Sequence, residues 1–503
     1  MKNARLTVEK GLSLAVTDDR LFGSFIEHLG RAVYNGIYEP GHPTADENGF
    51  RKDVISLVRE LGIPIVRYPG GNYVSNFFWE DAVGPIDRRK PRRDLAWRTI
   101  ESNRFGISEF VKWCDRIDAE VMMAVNLGTR GISDALNLLE YCNMDGGTYY
   151  SDLRISHGDP SPYGIRTWCL GNEMDGPWQV GHMPAYEYGR LAAETAKAMK
   201  YMDDSIELVL CGSSGVDMPT FPEWERISLM EAYDHVDYIS LHQYYGNEAE
   251  DTEDFLAKTL DLEQFIHTVI CTCDYIQAVK RSSKTLYLSF DEWNVWYHTR
   301  KSDDEKMASA PWEEHPHLLE DHYFFEDALL VGLMLITFLK HADRIKIACL
   351  AQLVNVIAPI MTEDNGPAWR QTIFYPFLHV SRYGRGEALL CPLTSDRHDT
   401  SCHSDVTDVD ATAVYNEEKK EVAIFAVNRN LKDPVLFSAD LARFNKLKIK
   451  EHIVMESKDL RAVNAATKEC VCPHMTSEHS FDEDIFEATL QPCSWNVIVF
   501  EEE

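Results

Sequence analysis

Apolar residues in this chain gather in short runs, separated by longer stretches in which they recur every three or four positions. Eight such runs stand in order: Leu21–Gly30, Ile63–Gly70, Glu120–Gly128, Thr167–Asp175, Glu207–Gly212, Val236–Gly246, Leu286–Asn294 and Ile347–Val356. Most are rich in β-branched, aromatic or small residues and break into polar loops, the pattern of strands buried on both faces. Segments with helical periodicity lie between them, among them Phe50–Leu61, Gly106–Ile117, Tyr186–Met202 and Glu326–Lys340. Strand then helix, eight times over, predicts a (β/α)8 TIM barrel in the α/β class. A doubly wound sheet would place a Gly-rich phosphate loop and a helix after an early strand. The only candidate, P-G-G-N from Pro69, does not run at once into a helix.

The pattern changes near residue 380. Ala411–Tyr415, Glu421–Asn428 and Trp495–Phe500 are short and β-rich, with Asn, Asp and Pro between them. They predict an additional antiparallel β-sandwich over 381–503, after a barrel spanning 16–380. Residues 1–15, with A-R-L-T-V and L-S-L-A-V, read as two strands that pair with the sandwich and clamp the chain ends together. His298–His317 is charged, contains proline and has no apolar period, so it is expected to be an irregular active-site flap after the seventh strand. The longest apolar stretch, Ala328–Leu339, is too short to span a bilayer and reads as a core helix ending at Lys340 and His341.

Composition narrows the function. The 503 residues carry 81 acidic and 50 basic side chains, a net charge of -31. Such a chain repels nucleic acid and anionic membranes and suits a neutral substrate. The 12 cysteines form no dense framework, and Cys169, Cys211 and Cys349 fall in strand-like runs. Reduced, buried thiols and an amino terminus without an apolar signal region predict a cytoplasmic protein. A substrate met in that compartment is a small, imported molecule, because polymers cannot enter.

Two carboxylates carry the expected chemistry. Glu173 ends the fourth run in T-W-C-L-G-N-E, and Glu292 ends the seventh in L-S-F-D-E-W. Two acids at one barrel rim, with Trp178, Trp293 and Trp296 close in sequence, fit acid/base and nucleophile work on a glycosidic bond. Asp291 precedes Glu292; strand alternation would turn one of the two away from the pocket, which makes Asp291 a structural partner. Tyr244, at the sixth strand end, is placed to hydrogen-bond the nucleophile. Glu27, Arg67 and Asn72 end the first two strands, and Glu27 is suited to bind two sugar hydroxyls, while Arg67 reads equally well as half of an ion pair. His315, His317 and His322 match no zinc spacing, and two carboxylates suffice for glycoside cleavage, so neither metal nor other cofactor is expected. No G-x-S-x-G elbow is present.

Longer motifs carry a resemblance that runs along nearly the whole chain. They are G-S-F-I-E-H-L-G-R-A-V-Y from Gly23, R-Y-P-G-G-N from Arg67, W-C-L-G-N-E-M-D-G-P-W-Q from Trp168, S-L-H-Q-Y-Y-G from Ser240, F-D-E-W-N-V-W-Y from Phe290 and A-Q-L-V-N-V-I-A-P-I from Ala351. In these the chain resembles the intracellular α-L-arabinofuranosidases of glycoside hydrolase family 51. The resemblance implies a barrel with a sandwich. It implies retaining, exo-acting release of terminal non-reducing α-L-arabinofuranosyl groups from arabino- and arabinoxylo-oligosaccharides. It makes Glu173 the acid/base and Glu292 the nucleophile. Glu27, Asn72, Asn172, Tyr244 and Gln352 match positions that hold the furanose, and Trp97 and Trp296 match aromatic walls. A homo-oligomer, commonly a hexamer, is implied too. The stretch N-Y-V-S-N-F-F-W from Asn72 is bulkier than the family pattern, which bears on leaving-group preference.

A β-xylosidase or β-1,4-glycanase on the same barrel would share the two acids. A non-catalytic carbohydrate-binding protein would keep the aromatic residues but has no need of both carboxylates. Release of nitrophenol from aryl glycosides separates these readings.

Overall fold

The computed structural model describes residues 2–502. Eight parallel strands close into a barrel: β1 (Gly23–Phe25), β2 (Ile65–Tyr68), β3 (Glu120–Ala124), β4 (Thr167–Leu170), β5 (Glu207–Leu210), β6 (Tyr238–Tyr245), β7 (Tyr287–Val295) and β8 (Ile345–Leu350). Each pairs with the next, and β8 closes on β1 through Cys349–Gly23 and Leu350–Ser24. Each arises within or beside one of the eight expected runs, but most are shorter. In all but the seventh, the residues of the run beyond the strand form the loop above its carboxy-terminal end, where barrel enzymes keep their sites. Inside the barrel, Phe25, Ile65, Met122, Cys169, Val209, Ile347 and Cys349 form one apolar cluster. The three cysteines expected to be buried thiols are free and buried.

The helix Phe325–Lys340 shows how the two parts of the chain are joined. Every residue from Phe325 to Leu339 is buried, because one side faces the barrel and the other a β-sheet. Gly332 lies so close to Trp495 that a Cβ there would meet the indole ring at 2.7 Å. A helix apolar all round needs cover on all sides, and here it has it.

That sheet has seven strands, including Val409–Asn416, Glu421–Asn428 and Ser494–Glu502. A five-stranded sheet lies against it, with Leu6, Phe437, Ile424 and Phe500 in the shared core. The amino-terminal strands enter both sheets. Lys2–Thr7 runs parallel to Val435–Asp440, and Ser13–Val16 pairs with Glu387–Leu389.

The flap differs from expectation. Arg300–Ser309 is an α-helix, not irregular chain. Of its residues only Asp303 is buried, so no apolar stripe marks it in the sequence. The Asp321 carboxylate accepts from the backbone N–H groups of His298 and Thr299, each at 3.0 Å, and fixes the approach to the helix. Asp303 accepts from Leu319 N–H at 3.0 Å and fixes the return.

Candidate active site

A cavity of about 510 Å³ opens at the carboxy-terminal rim of the barrel. Its walls include Glu27, Asn72, Trp97, Glu173, Tyr244 and Glu292, and also Trp296 and Gln352. The hairpin that carries Trp97 forms one side, and the flap helix contributes Arg300, Asp303 and Met307 on another.

Glu173 stands three residues beyond β4. The chain turns there through two left-handed conformations, Gly171 at φ 90° and Glu173 at φ 44°. A non-glycine residue at positive φ is strained, and the tight turn aims its carboxyl back over the barrel. One Glu173 oxygen accepts from Trp178 Nε1 at 2.6 Å, and the other lies 3.0 Å from His242 Nδ1.

Glu292 lies within β7, where the pairing to β8 skips register between Phe290 and Trp293. This irregularity overturns the alternation expected for Asp291 and Glu292. Phe290 and Trp293 both pack outward, each 5.0 Å from the Phe338 ring, while Asp291 and Glu292 both point inward. A bulge turns two consecutive side chains to one face. Trp293 therefore belongs to the core between barrel and helix, not to the pocket.

Asp291 is still a partner of neighbouring strands. Its carboxylate accepts from His242 Nε2 on β6 at 2.9 Å and makes an ion contact with Arg67 Nε on β2 at 3.4 Å. Arg67 also donates to Glu292 at 2.6 Å and to the Asn172 side-chain oxygen Oδ1 at 2.7 Å. Arg67 and Asn172, expected among the substrate contacts, are absent from the cavity walls. Arg67 holds Glu292, and Asn172 in turn braces Arg67. Burial opposes charge on Arg67 and on Asp291, yet their mutual attraction, with Glu292 beside Arg67, keeps both ionised: the guanidinium is held well above its usual range and the Asp291 carboxyl below its own. Removing one member of such a buried pair costs about 3–5 kcal/mol.

Tyr244 Oη donates to Glu292 at 2.8 Å. Glu27 accepts from Trp97 Nε1 at 2.9 Å and from Tyr73 N–H at 2.8 Å. Gln352 lies across it, accepting from Glu27 N–H at 2.9 Å. Burial raises the Glu27 carboxyl to about 8. Tyr244 and Trp296 meet edge to face at 5.5 Å. The bulky stretch after Asn72 turns away from the cavity: Tyr73, Val74, Phe77 and Trp79 are buried, and only Asn72 of that stretch lines it. The flap histidines do not cluster. His315 stacks on Tyr34, His317 pairs with Glu320, and His322 faces Trp369.

His242 is the site residue that the sequence reading passed over. It is directly opposite Glu292 in register and joins Glu173 to Asp291 through its two nitrogens. Its signal was the alternation that places it on the same face as Tyr244. Burial alone would strip its proton, but the charges of Glu292 and Asp291 raise it to about 10. The imidazolium thus donates from both nitrogens at neutral pH. Among the described residues, Glu173, His242 and Glu292 form the one group close enough to hold a metal ion. A protonated imidazole has no lone pair to offer, and Arg67 adds a second positive charge, so this group reads as an acid pair with its cations.

The raised His242 value has a consequence for stability. A folded value near 10 against an ordinary 6.5 means that the native state holds an extra proton between those limits. Its contribution is complete below about 6.5 and is lost as pH rises toward 10. Glu27, raised from 4.5 to about 8, also favours the folded state at lower pH and loses that contribution as pH rises through this range. The melting temperature should therefore fall from pH 7 to 10, and His242→Gln should flatten that fall. Parallel melting curves for the two proteins would remove the charged imidazole from the stability argument.

Comparison with known proteins follows the same lines. Residues 57–261 match the α-L-arabinofuranosidase 1 domain and residues 291–494 the α-L-arabinofuranosidase C-terminal domain. An intracellular exo-α-(1→5)-L-arabinofuranosidase from Acetivibrio thermocellus is 62% identical over 499 residues, covering 99% of each chain. The Bacillus subtilis intracellular exo-α-(1→5)-L-arabinofuranosidase 1 is 57% identical over 498 residues, again 99% of each. Among solved structures, a family 51 α-L-arabinofuranosidase from Bifidobacterium longum superposes with a TM-score of 0.95 at 44% identity, covering both chains completely.

Proposed function

The chain belongs to the α-L-arabinofuranosidases of glycoside hydrolase family 51, and from this premise we infer that it releases terminal non-reducing α-L-arabinofuranosyl groups with retention of configuration. The observation that carries the mechanism is the spacing of the two acids. Oxygens of Glu173 and Glu292 lie within 4.8 Å of one another at the cavity floor. Retaining glycosidases keep their carboxyl groups about 5–5.5 Å apart, whereas inverting ones leave room for a water between them at about 6.5–9.5 Å.

In this reading Glu292, aligned by Arg67 and Tyr244, attacks the anomeric carbon. Glu173 gives its proton to the departing oxygen. The covalent ester removes the negative charge of Glu292. Glu173, ionised and still facing His242, then takes a proton from water, which attacks the same carbon and releases arabinose. Glu27, Asn72 and Gln352 are assigned to the furanose hydroxyls, with Trp97 and Trp296 as its walls. The names of the relatives support an α-(1→5) linkage and an intracellular setting. The subunits are assigned to a homo-oligomer, a hexamer in the first instance, which sedimentation velocity checks.

A panel of nitrophenyl glycosides tests the assignment. The α-L-arabinofuranoside should be cleaved far faster than the β-xyloside, and proton NMR should show the α-anomer of arabinose before mutarotation. First appearance of the β-anomer would exclude double displacement.

Tyr244 gives a sharper check on the nucleophile. Its hydroxyl steadies the carboxylate and sets its direction of attack. Tyr244→Phe should lower kcat by roughly ten- to a thousand-fold, more than it changes KM, because the bond matters most as charge moves onto the sugar. Unchanged kcat would reduce Tyr244 to packing.

A further inference from the structure

A second cavity, of about 400 Å³, lies outside the barrel rim between the end of β6 and the helix Thr259–Lys280. It shares Asp217, Gln243 and Tyr244 with the catalytic cavity, so the two spaces meet along one ridge. Tyr244 and Tyr245 are adjacent on β6 and point to opposite sides of it. Tyr244 reaches inward to Glu292, and Tyr245 lines the second cavity.

The second cavity has the chemistry of a carbohydrate site. The Tyr245 side chain is buried, with 6% of the residue exposed, and its hydroxyl has no hydrogen-bond partner among the described residues. An orphaned buried hydroxyl costs about 1–3 kcal/mol and marks a place where a ligand or water completes the bonding. Burial and the charges of Asp261 and Asp217, both in the cavity wall, push that hydroxyl well above its usual range. Asp217, Asp261, Lys258, the Gln264 amide and Tyr245, whose hydroxyl is enclosed in the wall, line one space, with the Phe221 ring as an apolar side. This mixture of acceptors, donors and an aromatic face suits a neutral polyhydroxylated ring, and the volume falls within the range of small-ligand sites.

We propose that this second cavity binds a sugar unit on the leaving-group side of an oligosaccharide whose terminal furanose occupies the catalytic cavity. The chain of the substrate crosses the ridge at Asp217 and Gln243, and Tyr245 bonds a hydroxyl of a unit beyond the scissile bond. The proposal rests on the arabinofuranosidase reading and extends it from the terminal group to the rest of the substrate. A nitrophenyl leaving group ends before the ridge, so it does not draw on this cavity.

Tyr245→Phe and Gln264→Ala test this, with kcat/KM measured on nitrophenyl α-L-arabinofuranoside and on arabino-oligosaccharides of two to five units. The unaltered enzyme should gain kcat/KM with chain length. Each variant should keep its activity on the aryl glycoside and lose about five- to ten-fold on the longer oligosaccharides, the worth of one hydrogen bond. Tyr245→Phe should also retain or raise the melting temperature, since it removes an unpaired polar atom. Equal losses on aryl and oligosaccharide substrates would make Tyr245 and Gln264 packing residues and overturn the proposal. Unchanged kinetics on every chain length would leave water as the only occupant and overturn it as well. Absence of cleavage of any arabinofuranoside by the unaltered enzyme would instead strike the function itself.

Discussion

Glu292→Ala should abolish turnover of every arabinofuranoside, aryl or oligosaccharide, by about 10⁴-fold or more. The alanine leaves nothing to attack the anomeric carbon, and no other carboxylate can take its place. Asp291 is near, but it is fully engaged below the cavity by His242 at 2.9 Å and by Arg67 at 3.4 Å. Glu27 lines the cavity, but Trp97 and Tyr73 both donate to one of its oxygens and burial keeps the carboxyl protonated up to about pH 8. The loss should be as deep on an activated aryl substrate as on an oligosaccharide, because attack fails whatever the leaving group. The variant also relieves Arg67 of its 2.6 Å partner. Arg67 keeps Asp291 and Asn172, so the fold should survive, and circular dichroism should match the unaltered protein. Residual activity of a few per cent on the aryl substrate, in a folded variant free of contaminating enzyme, would move the nucleophile elsewhere.

How the nucleophile is held shows what the sequence can and cannot say. Each of the eight barrel strands falls within or beside an apolar run, because a strand buried on both faces must be apolar throughout. Glu173 and Glu292 were legible because a charged residue at the end of such a run needs a reason to be there. The bulge at Asp291 and Glu292 was not. It is a property of pairing between β7 and β8, strands about fifty residues apart in sequence, and leaves no mark in composition. Without it, alternation would send one acid outward, which is why Asp291 was expected to point away from the pocket; it does stay out of the cavity wall, but by lying beneath the cavity rather than on the opposite face. The flap helix was hidden for another reason. It is held at its amino-terminal end by two carboxylates, Asp321 and Asp303, rather than by an apolar face. Periodicity reports only helices that bury a stripe. Arg67 was placed at the site by its strand end and Asn172 by the family resemblance, but neither signal separates a side chain that touches sugar from one that braces the nucleophile directly, as Arg67 does, or through a neighbour, as Asn172 does.

Glu173→Ala should divide substrates by their leaving groups. Arabino-oligosaccharides, whose departing alkoxide needs a proton, should lose about 10²–10⁴-fold in kcat/KM. A dinitrophenyl arabinofuranoside departs as a stabilised phenolate, so its first step should be nearly spared. The ester on Glu292 then forms but is slow to hydrolyse, since no base activates water, and the steady-state rate falls. The substitution also frees His242 Nδ1 and Trp178 Nε1, which meet Glu173 at 3.0 and 2.6 Å, and leaves a gap beside the anomeric carbon. Azide fits that gap, needs no deprotonation and is drawn by the imidazolium. It should therefore attack the ester, restore turnover of the dinitrophenyl substrate and yield the α-L-arabinofuranosyl azide. Configuration is retained because azide enters from the face opposite Glu292, as water does in the unaltered enzyme. If azide leaves the rate unchanged, or the product is the β-azide, the roles given to Glu173 and Glu292 do not hold. A β-azide would mean direct displacement at the sugar, and the approach of the two acids to within 4.8 Å would then need another explanation.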